Sequence, residues 1–247
     1  FKVSEVKVKK STRKPSPPFI TSTLQQEASI KLRMNPKATM AAAQGLYEKG
    51  KITYMRTDST NLSSEIMDTI KEYVLEHYSS KYYKRKEYNK KVANSQEAHE
   101  AIRPVDIHLD SLGEDASSNE KRLYHLIWKR TVASQMSDKL SDVYKIYIKM
   151  NDKHNILSTY DIETFDGFTI LDKREKVDYS DIKELIDNLQ KGNTLLCDEI
   201  NAIEKWTKSL GRYTEASLIK ELERLGIGRP STYSNIISTI QDRNYVK

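Results

Sequence analysis

The hydrophobic period changes along the chain, and this constrains the fold more than any other feature. Residues 1–10 alternate, with Val3, Val6 and Val8 among Lys2, Lys7, Lys9 and Lys10, the two-residue period of a strand with one face on a core. From Phe19 to about Gln135 the period is helical. After Ser137 alternation returns, with Tyr144, Ile146, Ile148 and Met150 on one side and Lys145, Tyr147 and Lys149 on the other. Residues 151–155 (NDKHN) supply a turn, and 156–171 read as one or two further strands around Asp166-Gly167. Two β segments alike in character flank a helical one, so the expected architecture is a helical unit inserted into a β unit. A helical stretch over 214–247 closes the chain.

Local signals place the helices. Asn35-Pro36 marks a start, because Asn accepts amide hydrogen bonds at an N-cap and Pro is tolerated at the first helical position. The Ala-rich run 38–49 then ends at Gly50. A strand-like ITYMR (52–56) follows. Ser63 or Ser64 caps the next helix, which carries Ile66, Ile70 and Val74, and another is expected over about 119–135. Near the end, Leu218, Ile219, Leu222 and Leu225 form one apolar face, Gly226 stops that helix, and Pro230-Ser231 starts another carrying Ile236, Ile237 and Ile240. This pair has a helix-turn-helix outline.

At 247 residues the chain is long enough to bury a core without staples, and Cys197 is its single cysteine, which excludes a disulfide framework and a cysteine-based zinc site. The charge balance, 41 Lys+Arg against 35 Asp+Glu, favours an anionic partner without proving one. No apolar run approaches the length of a membrane span, so no membrane partner is expected. Phe1 reads as mid-strand, and the expectation is a piece of a longer polypeptide.

Two motif-like spellings fail on chemistry. Gly45-x4-Gly50-Lys51 approaches a phosphate-binding P-loop, but Ile52 stands where a metal-binding Ser or Thr is needed, and a helix leads into a strand rather than the reverse. His99-Glu100 approaches a zinc-protease motif, but Arg103 occupies the position of the second imidazole.

The run Ile52-Thr53-Tyr54-Met55-Arg56-Thr57-Asp58-Ser59 is the candidate for chemistry. If it is extended, Tyr54 and Arg56 point the same way and meet one target. A phenol is a poor nucleophile while protonated, and a nearby guanidinium favours the phenolate and offsets charge building on a phosphoryl group. The same residues also suit a half-buried strand with a packed Tyr and a rim Arg.

The segments PPFITSTLQQEAS (17–29), ITYMRTDSTNLS (52–63), SQEAHEAIRP (95–104), RYTEASL (212–218), GIGRPSTY (226–233) and IQDR (240–243) together resemble the type IA DNA topoisomerases, in the family's order. The resemblance implies an α+β, multidomain fold. Residues 1–16 and 137–208 would form a β-rich arch domain, 17–136 an inserted helical gate domain with the catalytic tyrosine, and 209–247 the start of a helical base domain containing the helix-turn-helix. It implies that Tyr54 attacks a single-stranded DNA phosphodiester to give a 5′-phosphotyrosine, followed by strand passage and religation without ATP. Arg56 would hold the scissile phosphate and His99 would hydrogen-bond near the DNA backbone. Arg103, Arg229, Ser231, Thr232 and Arg243 would contact DNA. Bland alternatives are a structural His99, an ion-paired Arg103 and a solvated Arg243.

The family's magnesium (Mg2+) is held by acidic residues of a TOPRIM domain whose spacing this chain lacks, so Mg2+ is expected outside it and the chain alone is expected not to complete cleavage. Ser209-Leu210-Gly211-Arg212-Tyr213 also stands where the family usually has prolines. The implied partners are single-stranded DNA and negatively supercoiled DNA, with a monomer in a DNA-associated, cytoplasmic setting, bacterial or viral. Two basic stretches, 1–16 and 81–91, each hold six Lys/Arg against one Glu and suit either strand binding or a solvated surface. The competing reading is a helix-turn-helix DNA-binding module without catalysis. A decatenation-biased relative such as topoisomerase III or reverse gyrase would share Tyr54.

Overall fold

The computed structural model describes residues 1–88, 100–151, 153–172, 175 and 177–246. It divides into two compact units, one of residues 1–14 and 138–210, the other of residues 15–137 and 211–247. The mixture of helices and sheet is the α+β architecture expected.

The first unit is built on an antiparallel three-stranded sheet in the order β1 (Lys2–Arg13), β2 (Lys139–Lys149), β3 (Asn155–Phe165). Pairing of β1 with β2 joins residues more than a hundred positions apart, as an insertion requires. The register of β1 shifts between Val3 and Glu5. That irregularity lets Val3 and Val6, three apart, both face the core, while Val8 is exposed. Tyr144, Ile146 and Ile162 complete the inner face. A short helix α5 (Ser180–Asp187), which the β-like reading of this region passed over, adds the buried Ile186 and half-buried Ile182.

The second unit carries α1 (Thr21–Glu27), extended by a π-helical turn to Leu32, α2 (Pro36–Glu48), α3 (Ser64–His77), α4 (Ser118–Ser134), α6 (Glu215–Arg224) and α7 (Tyr233–Asp242). The Asn35 side chain accepts from the Ala38 amide, so the Asn-Pro start acts as expected, and Ser63 rather than Ser64 caps α3. Helix α4 begins with a reciprocal cap between Ser117 and Glu120. Glu120 also meets Lys49 at 2.9 Å. The Lys49 ammonium, then the Ser117 amide, hold its carboxyl down at about 2. A Cβ at Gly45 would stand 2.6 Å from Glu120 Oε1, so a side chain there would displace the carboxylate from this pair.

Residues 211–247 cluster with 15–137 in this second unit. Helix α6 packs on α1, α7 packs on α2, and Ser22 Oγ donates to Glu223 Oε1 at 2.8 Å. The buried Ile219, Tyr233 and Ile237 form the seam between α6 and α7. Helix α7 starts at Tyr233, three residues later than Pro230 suggested, after a turn in which Gly228 has φ +81°.

Candidate functional site

ITYMR is not a regular strand. Among the described residues its one ladder contact is an isolated antiparallel bridge between Ile52 and Pro104. It is nevertheless extended in the sense that matters, since Met55 and Thr57 are buried while Tyr54, Arg56 and Asp58 are exposed. Tyr54 and Arg56 therefore share the outward side, as the alternation required.

The segment is pinned from two directions by distant chain. On one side Thr53 N–H donates to Arg103 O at 2.9 Å, Thr53 Oγ1 donates to Ala101 O at 2.7 Å, and Val105 N–H donates to Lys51 O at 3.0 Å. On the other, Thr21 at the start of α1 donates its hydroxyl to Met55 O at 2.7 Å and accepts from Thr57 N–H at 3.0 Å, while Thr21 N–H donates to Thr57 O at 3.0 Å. Ile102 N–H donates to Phe19 O and Ala101 N–H to Asn61 O. Three of the sequence motifs, around Phe19–Thr21, 51–61 and 100–105, thus form one hydrogen-bonded bed.

Phe19 is fully buried under the Arg130 guanidinium, which lies 4.3 Å from the ring centroid and pairs with Glu27 at 2.8 Å. Burial lowers the Arg130 pKa, and Glu27 offsets part of that shift.

The fourth motif approaches through α7. Burial pushes the Tyr233 phenol up, and Glu223 pushes it the same way, with Arg229 opposing and Asp58 adding to the rise. The start of α7 therefore lies within electrostatic reach of the Tyr54 segment.

Tyr54 is 45% exposed. Among the described residues its hydroxyl and the Arg56 guanidinium have no hydrogen-bond or ion-pair partner. The Tyr54 ring meets the Tyr47 ring edge to face, with centroids 5.2 Å apart at 65°.

The other expected residues divide. His99 lies outside the described residues. Arg103 takes the ion-paired alternative, donating to Glu100 Oε2 at 2.6 and 3.1 Å and to Pro104 O at 3.0 Å. Arg229 folds over its own turn, donating to Gly228 O at 2.7 Å and Gly226 O at 3.2 Å. Ser231 and Thr232 are exposed beside it, and the Thr232 hydroxyl accepts from Arg229 N–H at 2.8 Å. Arg243 is exposed at the opposite end of α7 and is not brought to the Arg229 turn. Sequence reading passed over Tyr47 and Glu223 and weighed Glu100 only beside His99. The i,i+3 spacing of Glu100 and Arg103 was a usable signal, whereas Ser22 and Glu223 are 201 positions apart and carried none.

The family model for DNA topoisomerase matches residues 1–247. DNA topoisomerase 1 of Escherichia coli is 44% identical over 251 residues, covering 100% of this chain and 28% of that protein. DNA topoisomerase 1 of Vibrio cholerae is 43% identical over 254 residues, again covering 28% of its length. The prokaryotic-type DNA topoisomerase 1 of Acanthamoeba polyphaga mimivirus is 43% identical over 261 residues, with 31% of it covered. The structure of full-length topoisomerase I from Thermotoga maritima superimposes with a TM-score of 0.78 at 35% identity, covering 99% of this chain and 41% of that one. The chain belongs to the DNA topoisomerase family, in its type IA branch. It spans well under a third of the length of these two bacterial relatives.

Proposed function

We propose that this chain is the tyrosine-bearing part of a topoisomerase that cuts and reseals one DNA strand. The Tyr54 hydroxyl oxygen attacks the phosphorus of a single-stranded phosphodiester. The new ester is a 5′-phosphotyrosine, the bond from phosphorus to the 3′-oxygen breaks, and that oxygen leaves as a 3′-hydroxyl, gaining one proton while the phenol gives one up. Religation is the reverse transfer, so the phosphoester energy is kept and no ATP is consumed. Strand passage between the two steps relaxes negatively supercoiled DNA.

Arg56 neutralises charge on the phosphoryl oxygens as they become equatorial in the transition state. His99 is proposed near the DNA backbone, and Arg229, Ser231, Thr232 and Arg243 along the path of the strand. Arg103 is better read as a structural partner of Glu100, since that carboxylate and the Pro104 carbonyl occupy much of its donor fork. Among the described residues no group of three or more His, Cys, Asp or Glu suits a metal ion. The described side chains do not fit the Mg2+ of the family, and no step is assigned through it. Among the described residues no helix is long and apolar enough to cross a membrane.

The observation that carries the reading is the pairing of exposure with anchoring. Tyr54 and Arg56 face outward on a backbone held by partners on both sides. The test is Tyr54→Phe in a polypeptide of the relatives' length that carries these residues. Plasmid relaxation is expected to fall by at least about 10³-fold, as for loss of a covalent nucleophile, while affinity for a single-stranded oligonucleotide stays within about twofold. Unchanged relaxation would leave only the helix-turn-helix binding module.

A further inference from the structure

Resting on the reading of Tyr54 as nucleophile, we propose that Tyr47 is a positioning residue for it, setting the direction of the phenol through contact between the two rings. The backbone of Tyr54 is fixed by its neighbours, but backbone anchoring leaves the side-chain torsions of a half-exposed ring open. Among the described residues the aromatic neighbour that can limit them is Tyr47, in edge-to-face contact at 5.2 Å.

Tyr47 is itself well placed to act as a stop. It stands in the last turn of α2, one residue past the fully buried Leu46. The helix ends in a paired closure in which Gly50 N–H donates to Tyr47 O at 2.9 Å and Lys51 N–H to Leu46 O at 2.8 Å, with Gly50 at φ +65°. The next residue, Ile52, is buried and bridged to Pro104. From the end of α2 to Tyr54 the chain therefore has little freedom, and the seven-residue separation delivers one ring to the other. Lys49, in the same turn, is tied to Glu120 and fixes α2 against α4. Tyr47 is 42% exposed, so replacing it leaves the core intact.

A ring misdirected by even an ångström costs a displacement reaction dearly, of order 10²-fold in rate. The experiment measures single-turnover cleavage of a single-stranded oligonucleotide, and its dissociation constant, for Tyr47→Leu and Tyr47→Phe in the full-length protein carrying these residues. Tyr47→Leu is expected to slow cleavage by about 10–100-fold with affinity and unfolding midpoint unchanged. Tyr47→Phe, which keeps the ring, is expected to restore the rate to within about threefold, because the contact is made by the ring and not by the hydroxyl. Three results overturn the proposal: Tyr47→Leu at the wild-type rate; Tyr47→Phe as slow as Tyr47→Leu, which would assign the effect to the hydroxyl; or weakened DNA affinity at an unchanged rate, which would make Tyr47 a binding contact. Tyr54→Phe is the control. If it cleaves normally the reading of Tyr54 itself fails. If it is inactive while Tyr47→Leu is normal, only the positioning role fails.

Discussion

Two stretches of this chain lie outside any regular helix or strand, and they differ in nearly every other respect. Residues 51–61 bury Ile52, Met55 and Thr57 and are hydrogen-bonded to Thr21, Ala101 and Arg103. Residues 196–210 leave Leu196, Ile200, Ile203, Trp206 and Leu210 in solvent, with Trp206 81% and Leu210 98% exposed. Order in such a segment is therefore not a property of its own sequence. It is conferred by partners from elsewhere in the chain, and in the first segment those partners are the other motifs of the family. Motifs spread from Phe19 to Val105 thus make one rigid mount for two outward-facing side chains.

The contrast breaks most sharply at Thr21. Thr21→Val keeps the shape of the side chain but removes the oxygen that serves both Met55 O and Thr57 N–H. Two buried backbone groups then lose their partner, at about 1–3 kcal/mol each. A loss of about 2–4 kcal/mol in denaturant unfolding is expected, with a matching fall in cleavage, and Thr21→Ser should recover most of both. An unchanged midpoint would mean that α1 does not hold the segment.

Limited trypsin digestion sharpens the same comparison. Lys205, Lys208 and Arg212 sit in exposed chain without regular structure, whereas Arg56 lies between the buried Met55 and Thr57. Cleavage after the first three is expected at least about tenfold faster than after Arg56, because a protease needs the backbone to open. Equal rates would place both stretches in one class.

A third effect is pH-dependent. Glu120 is held at about 2 by Lys49 and Ser117, below its ordinary 4.5. A depressed carboxylate stabilises the fold fully above the unfolded value and loses that contribution as pH falls from about 4.5 toward 2. With screening of the half-exposed Lys49, the contribution is about 1–2 kcal/mol. Glu120→Gln should lower stability at pH 7 by that amount and flatten the acid limb between pH 5 and pH 2 in urea unfolding. The smallest effect is expected at Trp206, where replacement by Ala should move stability by less than about 0.5 kcal/mol.

The parts of the fold legible in the sequence were those with local causes. Asn35-Pro36 and Ser63 announce their helices because a cap is made within three residues. The alternation across 53–58 reported which side chains share a side, since that follows from extended backbone alone, and the burial of Met55 and Thr57 is what turns Tyr54 and Arg56 outward. It did not report that the segment stands outside any sheet, because its partners lie 34 to 50 positions away. Helix α5 was passed over although Ile182 and Ile186 stand four apart, because the alternation before it set the expectation for the region. The packing of α6 and α7 on α1 and α2 rests on contacts such as Ser22 with Glu223, which no window of neighbouring residues contains. Tyr54 and Arg56 were legible as a pair. The bed beneath them, and the Tyr47 ring beside them, were not.

The most direct measurement is to trap the reaction. A single-stranded oligonucleotide labelled at its 3′ end is mixed with the full-length protein carrying these residues, quenched with denaturant and digested with trypsin. The label is predicted on the peptide Ile52–Arg56, esterified at Tyr54, and absent when Tyr54 is replaced by Phe. A labelled adduct on any other peptide, or one that persists in Tyr54→Phe, would contradict the account.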